Sequence, residues 1–420
     1  MPAPATSAST SVTDATNTRW TQLALSVIAM MSISSPQYAW TLFAKSFQDH
    51  LHSNLPAVQL TFSIVIVLQT WLSPLQGYLI DAFGARLLIA SGCLLTGLGW
   101  VASANVTDIA SLYFTYGLLC GIGTGIVNIG TIGLMVRWFP DRRGFATGMV
   151  AAGVGFGAII TTFPIDAMLK SSGYQHTLVV FGLILGIVGA GAALFLRMPG
   201  PQDVLPPAPA TASSADVAPQ AMLRNQVFWL LFLMMTMMST GGLMIISQFA
   251  AFSRDFGVAS VTVFGLAAVP LALTLDRITN GLTRPFFGWV SDRIGRENTM
   301  AIAFLMEAVA VTTMVLLRES ALIFVILSAV VFFGWGEIFS LFPSTLTDTF
   351  GAKHATTNYG LLYMANGIGS LLGGPLAALL HEATGSWLPV FGILVAMDTL
   401  TGILAIALLK PMRRAFAAAT

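Results

Sequence analysis

Apolar runs long enough to cross a bilayer recur along this chain, and they constrain its fold more than any other feature. A helix rises about 1.5 Å per residue, so roughly twenty apolar residues cross a hydrocarbon core about 30 Å thick. Such runs fall at 20–44, 57–80, 87–105, 109–136, 145–168 and 176–197, and again at 227–252, 261–290, 298–317, 320–346, 357–380 and 387–409. Backbone groups find no water in lipid, so each run is expected to be a helix. Only 9% of the residues are charged and 55% are hydrophobic, where a soluble domain carries about a quarter charged residues. The fold class expected is all-α integral membrane, with twelve transmembrane helices embedded in the lipid bilayer. The formal net charge of +1 gives no reason to expect nucleic acid as a partner.

The runs divide into two sets of six. Residues 1–19 form a polar, low-complexity stretch, expected as a disordered tail without the basic start of a signal peptide. Residues 20–197 hold the first six-helix bundle, and 198–226, with the core VLPPAPATASSADVAP, a flexible linker. Residues 227–410 hold the second bundle, and 411–420 a short tail. Gly77, Asp81, Gly84 and Pro164 recur 211 residues later as Gly288, Asp292, Gly295 and Pro375, half a chain length away. Two pseudo-symmetric bundles of this kind place a ligand site between them at mid-membrane. With both ends inside, thirteen Lys and Arg residues fall in cytoplasmic segments and four outside (Lys45, Lys170, Arg254 and Arg318), so the termini are expected in the cytoplasm.

The eighth run is the anomalous one, because Asp276, Arg277 and Arg284 lie within it. Arg284 is eight residues before Asp292, hence about 12 Å inside the helix end. A guanidinium at that depth costs several kcal/mol in lipid and must face a partner or a water-filled cavity. Its repeat mate is Ser73, so the charge stands in one half only, which points to a ligand rather than a structural role. Asn128, Glu337 and Asn366 reach similar depths, about 14–16 Å, and Tyr363 lies one turn before Asn366 on the same face. Pro36 interrupts the first run within Ser34-Ser35-Pro36-Gln37-Tyr38, a pattern of irregular backbone lining a cavity or of a plain kink. Arg277 shares a face with Arg284 about 10 Å further out, and its role, like that of Asp276, stays open.

The loops Gly77–Arg86 and Gly288–Arg296 carry paired Asp and Arg residues able to bind neighbouring helix ends across the cytoplasmic face. Asp81, Arg86, Asp292 and Arg296 are therefore gating candidates, with Arg142 of the loop between runs four and five beside them. For that loop, cytoplasmic anchoring is the stronger competing account. Gly121–Gly125 and Gly153–Gly157 resemble phosphate-cradling loops in spacing alone; they lie within helices, where close packing explains them. Cys93 and Cys120 sit in apolar runs without metal-like spacing, and the five histidines lie near run ends. No cofactor, metal or catalytic cluster is expected, and the chain is not read as an enzyme.

The placement of the two Gly/Asp loops after runs two and eight of twelve resembles the signature loop of the major facilitator superfamily. Within it, Gln37-Tyr38-Ala39-Trp40, Arg137-Trp138-Phe139-Pro140-Asp141, Asn280–Phe286, Gly334-Trp335-Gly336, Leu341–Thr345 and Asn358-Tyr359-Gly360 resemble the oxalate/formate antiporter family. The resemblance implies exchange of small carboxylates by alternating access, a bacterial inner-membrane location, a functional monomer, and Arg284 as the holder of a substrate carboxylate. Asn366, Tyr363, Trp335, Asn128, Gln37 and Tyr38 complete the candidate substrate set. It also implies a second cation, a Lys, at the position of Asn366 here, and a Tyr at that of Asn128. With one central Arg, a monocarboxylate is favoured over oxalate; oxalate:formate exchange is the alternative, and a sensor retaining the carrier fold a further one. Glu337 is the proton-coupling candidate, either pairing with Arg284 in the empty carrier or taking up a proton when an anion occupies that Arg.

Overall fold

The computed structural model describes residues 7–209 and 216–419. Each of the twelve apolar runs contains a spanning helix, although the run 261–290 becomes helical only at Ala268, and the breaks within them follow the local chemistry. The first span is built from Ser7–Ser32, Ser35–Tyr38 and Trp40–Leu51, with Pro36 in the first turn of the short middle piece, where its missing N–H is not needed. The second is Leu55–Trp71 followed by Ser73–Phe83 across a bend of 48°. Ala85–Ser103 and Ile109–Trp138 are the third and fourth. The fifth and sixth lie in Arg143–Ala193, interrupted at Gly173, whose φ of 78° and ψ of 169° suit glycine alone.

In the second half the spans are Gln226–Asp255, Ala268–Ile294, Arg296–Leu316, the broken tenth Ala321–Trp335 plus Ile338–Phe350, Ala355–Thr384, and a twelfth that starts at Leu388–Leu404. A two-stranded antiparallel hairpin, Thr262–Val263 with Leu266–Ala267, precedes the eighth. Every window of 18 residues within Ala268–Ile294 holds at least three charged side chains, so this helix survives in a membrane by its neighbours and not by its apolarity.

Both chain ends differ from the expectation of loose tails. The first helix begins at Ser7, because an apolar span already nucleated extends backwards at little cost; residues 1–6 lie outside the described residues. At the other end Lys410–Ala419 is helical and Arg413 is pinned to Glu297 and to Thr349 Oγ1. The linker is also partly built in. Val217 N donates to Phe350 O at 2.8 Å and Asn358 Nδ2 to Val217 O at 3.2 Å, while residues 210–215 lie outside the described residues.

The two halves meet along two helix pairs, the second span with the eleventh and the fifth with the eighth. At the first crossing Gly360 lies on the Ser73 carbonyl; at the other Gly148 lies on the Arg284 carbonyl. Ser73 and Arg284 are repeat mates, so the two crossings are related by the internal symmetry. A Cβ at either glycine would strike backbone, which sets how closely the halves approach.

Candidate functional site

Arg284 stands at the fifth–eighth crossing, 6% exposed. Its Nη1 donates to Ala151 O at 2.6 Å and its Nη2 to Asn280 Oδ1 at 2.9 Å, one helical turn back. The guanidinium carbon lies 4.6 Å from the ring centre of Phe339, a cation–π contact from the tenth span. None of these partners carries charge, and among the described residues no carboxylate pairs with Arg284. The hydroxyls of Tyr38, Tyr359 and Tyr363 lie close enough to interact with it electrostatically. Tyr363 in turn sits beside Asn128 and Asn366. Residues from the first, fourth, eighth and eleventh spans therefore converge on one buried cation. Among the described residues, Arg284 Nε, Asn128 Nδ2, Asn366 Oδ1 and the Tyr359 hydroxyl find no hydrogen-bond partner. A fixed cation ringed by amides and phenols with donors to spare suits an anion of a few atoms.

Two residues of the expected set, Trp335 and Glu337, are engaged elsewhere. Trp335 is turned away: its indole Nε1 donates to Met238 O at 2.8 Å, and its ring backs Phe339 edge-on at 5.7 Å. It supports the ring beneath Arg284 and is spent on that contact. Gln37 is half-buried next to Tyr38. Glu337 does not pair with Arg284. It is wholly buried and its carboxyl has no hydrogen-bond partner among the described residues, with Asp398 of the twelfth span and Glu307 of the ninth as its electrostatic neighbours. Phe339 takes the face toward Arg284, while Glu337 sits in the break of the tenth span, between Trp335 and Ile338, and turns toward the ninth and twelfth spans. Asp276 is buried in the second half beside Ser328, whereas Arg277 is exposed.

At the Arg-rich face, Asp81 Oδ2 accepts from Thr357 N at 2.8 Å and from its hydroxyl at 2.6 Å, capping the start of the eleventh span in the opposite half. Asp292 does the same for the fifth span, accepting from Gly144 N at 3.0 Å and Phe145 N at 2.8 Å. Each loop carboxylate thus sits at a helix N-terminus across the divide, where backbone N–H groups and the dipole favour it. The guanidinium partners are only partly the expected ones. Arg296 pairs with Asp292 at 2.6 Å and with Asp348 at 2.8 Å. Asp81 pairs with Arg137 at 2.5 Å, while Arg86 is exposed on the far side of its loop. Arg142 is likewise exposed and reaches only its neighbour Asp141; Arg143 turns inward and meets Asp348 at 2.6 Å. Asp348 bridges Arg143 of one half and Arg296 of the other.

The family model described as Major Facilitator Superfamily matches residues 23–278 and 264–418. The oxalate:formate antiporter of Oxalobacter formigenes is 35% identical over 393 residues, 93% of this chain and 90% of that protein. The chain belongs to the major facilitator superfamily, in its oxalate/formate antiporter family. Monocarboxylate transporter 13 of Bos taurus is 25% identical over 340 residues, 80% of this chain and 77% of that one. In fold, this superfamily member is similar to a crystal structure of the Escherichia coli fucose:proton symporter, with a TM-score of 0.67, 16% identity, and coverage of 92% of this chain and 97% of that one. The all-α membrane fold read from the apolar runs is therefore the superfamily's fold, and the chain is an integral membrane transporter, not an enzyme.

Proposed function

We propose that this transporter moves small carboxylate anions by exchange, with a monocarboxylate preferred, and that Arg284 is the group that holds the carboxylate. The observation that carries the reading is the state of Arg284: a buried guanidinium held only by neutral partners, ringed by Tyr38, Tyr359 and Tyr363. A carboxylate arriving there meets charge that no protein anion already neutralises. The transported species named for the relatives, oxalate and formate in one case and monocarboxylates in another, fit a site of this charge. Asn366 and Asn128 supply neutral hydrogen bonds instead of a second cation, which favours one negative charge over two.

The termini lie in the cytoplasm on this reading, and the carrier works as a monomer in a bacterial inner membrane. Alternating access then means breaking the caps of Asp81 and Asp292 while the halves close on the other side. A second reading adds proton coupling, and the buried trio Glu307, Glu337 and Asp398 favours it, because desolvated carboxyls without hydrogen bonds or counter-ions are expensive unless they carry protons. Any such coupling acts through the trio and not by Glu337 trading places with the substrate on Arg284. The deciding experiment is counterflow in proteoliposomes with labelled formate, acetate, lactate, pyruvate and oxalate. Rapid exchange of one or more monocarboxylates, with oxalate slower, is expected. Binding without flux would make the protein a sensor, and oxalate outrunning every monocarboxylate would reverse the preference.

A further inference from the structure

Arg277 has no place in the site just described, and its setting is unusual for a charge inside a span. It is exposed, and among the described residues it makes no hydrogen bond or ion pair. Seven residues from Arg284 is close to two helical turns, so the two arginines lie within about 20° of one another around the helix and about 10 Å apart along it.

The direction of that shared face is fixed by glycines. Gly288 packs on Gly144 of the fifth span, and Gly148 on the Arg284 carbonyl. One step further out, the ideal Cβ position of Gly155 is 3.5 Å from Gly281 Cα, while nothing lies within 4 Å of that of Gly281 itself. The fifth and eighth spans are therefore in tight contact at the Arg-rich end and more loosely packed at Gly281. Arg277 lies one turn past Gly281 on this same face, which is turned toward the fifth span of the other half. The side of this helix turned away from the other half is marked instead by Leu282, Phe286 and Trp289, each 42–50% exposed and 120–180° around from Arg277. Asp276, the nearest acid on the helix, is turned into its own half and buried. On the fifth span Asp166 is engaged by Lys170 at 2.6 Å.

We propose that Arg277 is an outer binding station for the carboxylate: an anion entering from the side opposite the Arg-rich face is held there first and then passes two turns inward to Arg284. This rests on the carboxylate reading above. An uncompensated cation beside surfaces of low dielectric concentrates anions and speeds their capture, an effect that falls with salt. Capture of this kind needs a charge at that place and not a planar fork, so Lys serves as well as Arg.

The test uses right-side-out vesicles and labelled formate and oxalate, with Arg277→Gln, Arg277→Glu and Arg277→Lys beside the wild type. The Gln variant is expected to raise the outer half-saturating concentration by roughly five- to tenfold, the Glu variant by more, with maximal exchange retained within about twofold. The Gln variant should lose most of the wild type's salt dependence and the Glu variant should reverse its sign, the Lys variant should match the wild type, and the inner half-saturating concentration should not change. An unaltered outer half-saturation in the Gln and Glu variants overturns the station, as does loss of maximal exchange from both sides. A wild type that exchanges no carboxylate at all defeats the carboxylate reading instead, and the station with it. Accessibility gives an independent check, since the native Cys93 and Cys120 are buried. A thiol at Arg277→Cys should react with a membrane-impermeant thiosulfonate added outside; protection from it contradicts the station.

Discussion

At the scale of single residues, the site is a problem of one charge and its neighbours. Arg284 is held by a carbonyl, an amide and a ring, and each leaves its charge intact. Asn366 bears most directly on selectivity, since the family resemblance puts a Lys there. Asn366→Lys should shift counterflow toward oxalate, raising the oxalate-to-formate rate ratio by on the order of tenfold, the factor that 1.4 kcal/mol of added pairing corresponds to. An unchanged ratio in folded protein would mean that Asn366 does not face the substrate. Much of this layer was legible in the sequence, because depth along a helix is simple arithmetic, and Asn128, Tyr363, Asn366 and Arg284 were placed by it. Azimuth was not. Glu337 is at the right depth and faces the wrong way, while nothing in the sequence marks Phe339, two residues on, as the ring beneath Arg284. Tyr359 and Asn280 had a readable signal, each lying one turn from a residue already singled out.

At the scale of helices and loops, the closed Arg-rich face depends on two carboxylates capping helices in the opposite half. Asp81→Asn and Asp292→Asn keep an oxygen able to accept from the backbone but lose the charge that holds Arg137 and Arg296. Each should slow maximal exchange by roughly tenfold while changing equilibrium substrate affinity less than threefold, a split that kinetic and binding measurements on the same preparation would reveal. Loss of affinity with normal turnover would contradict a gating role. The loops themselves were evident from their Gly and Asp spacing. Which arginine of Arg137, Arg142 and Arg143 turns inward was not, because adjacent positions differ by about 100° around a helix start and loop sequence carries no such angle. Asp348 was hidden for a related reason, since its partners are 205 and 52 residues away in the chain.

At the scale of the whole molecule, the internal repeat accounts for the architecture and its one asymmetry accounts for the chemistry. Ser73 and Arg284 occupy equivalent crossings, and only one is charged. Glu307, Glu337 and Asp398, fully buried carboxyls without a hydrogen-bond partner among the described residues, gather together in the second half. If the trio couples transport to protons, an inward proton gradient accelerates uptake in the wild type, and Glu337→Gln keeps exchange but loses that acceleration. No response of the wild type to the gradient would leave a plain anion exchanger. The central claim, however, is that one guanidinium between two rocking halves holds the transported anion. The direct measurement is formate counterflow by purified, reconstituted Arg284→Gln, with folding and monodispersity checked by circular dichroism and gel filtration. Loss of counterflow to below about a hundredth of the wild-type rate in folded protein is predicted, with Arg284→Lys also strongly impaired because a point ammonium lacks the planar two-donor fork. Near-normal counterflow in the Gln variant would contradict the account.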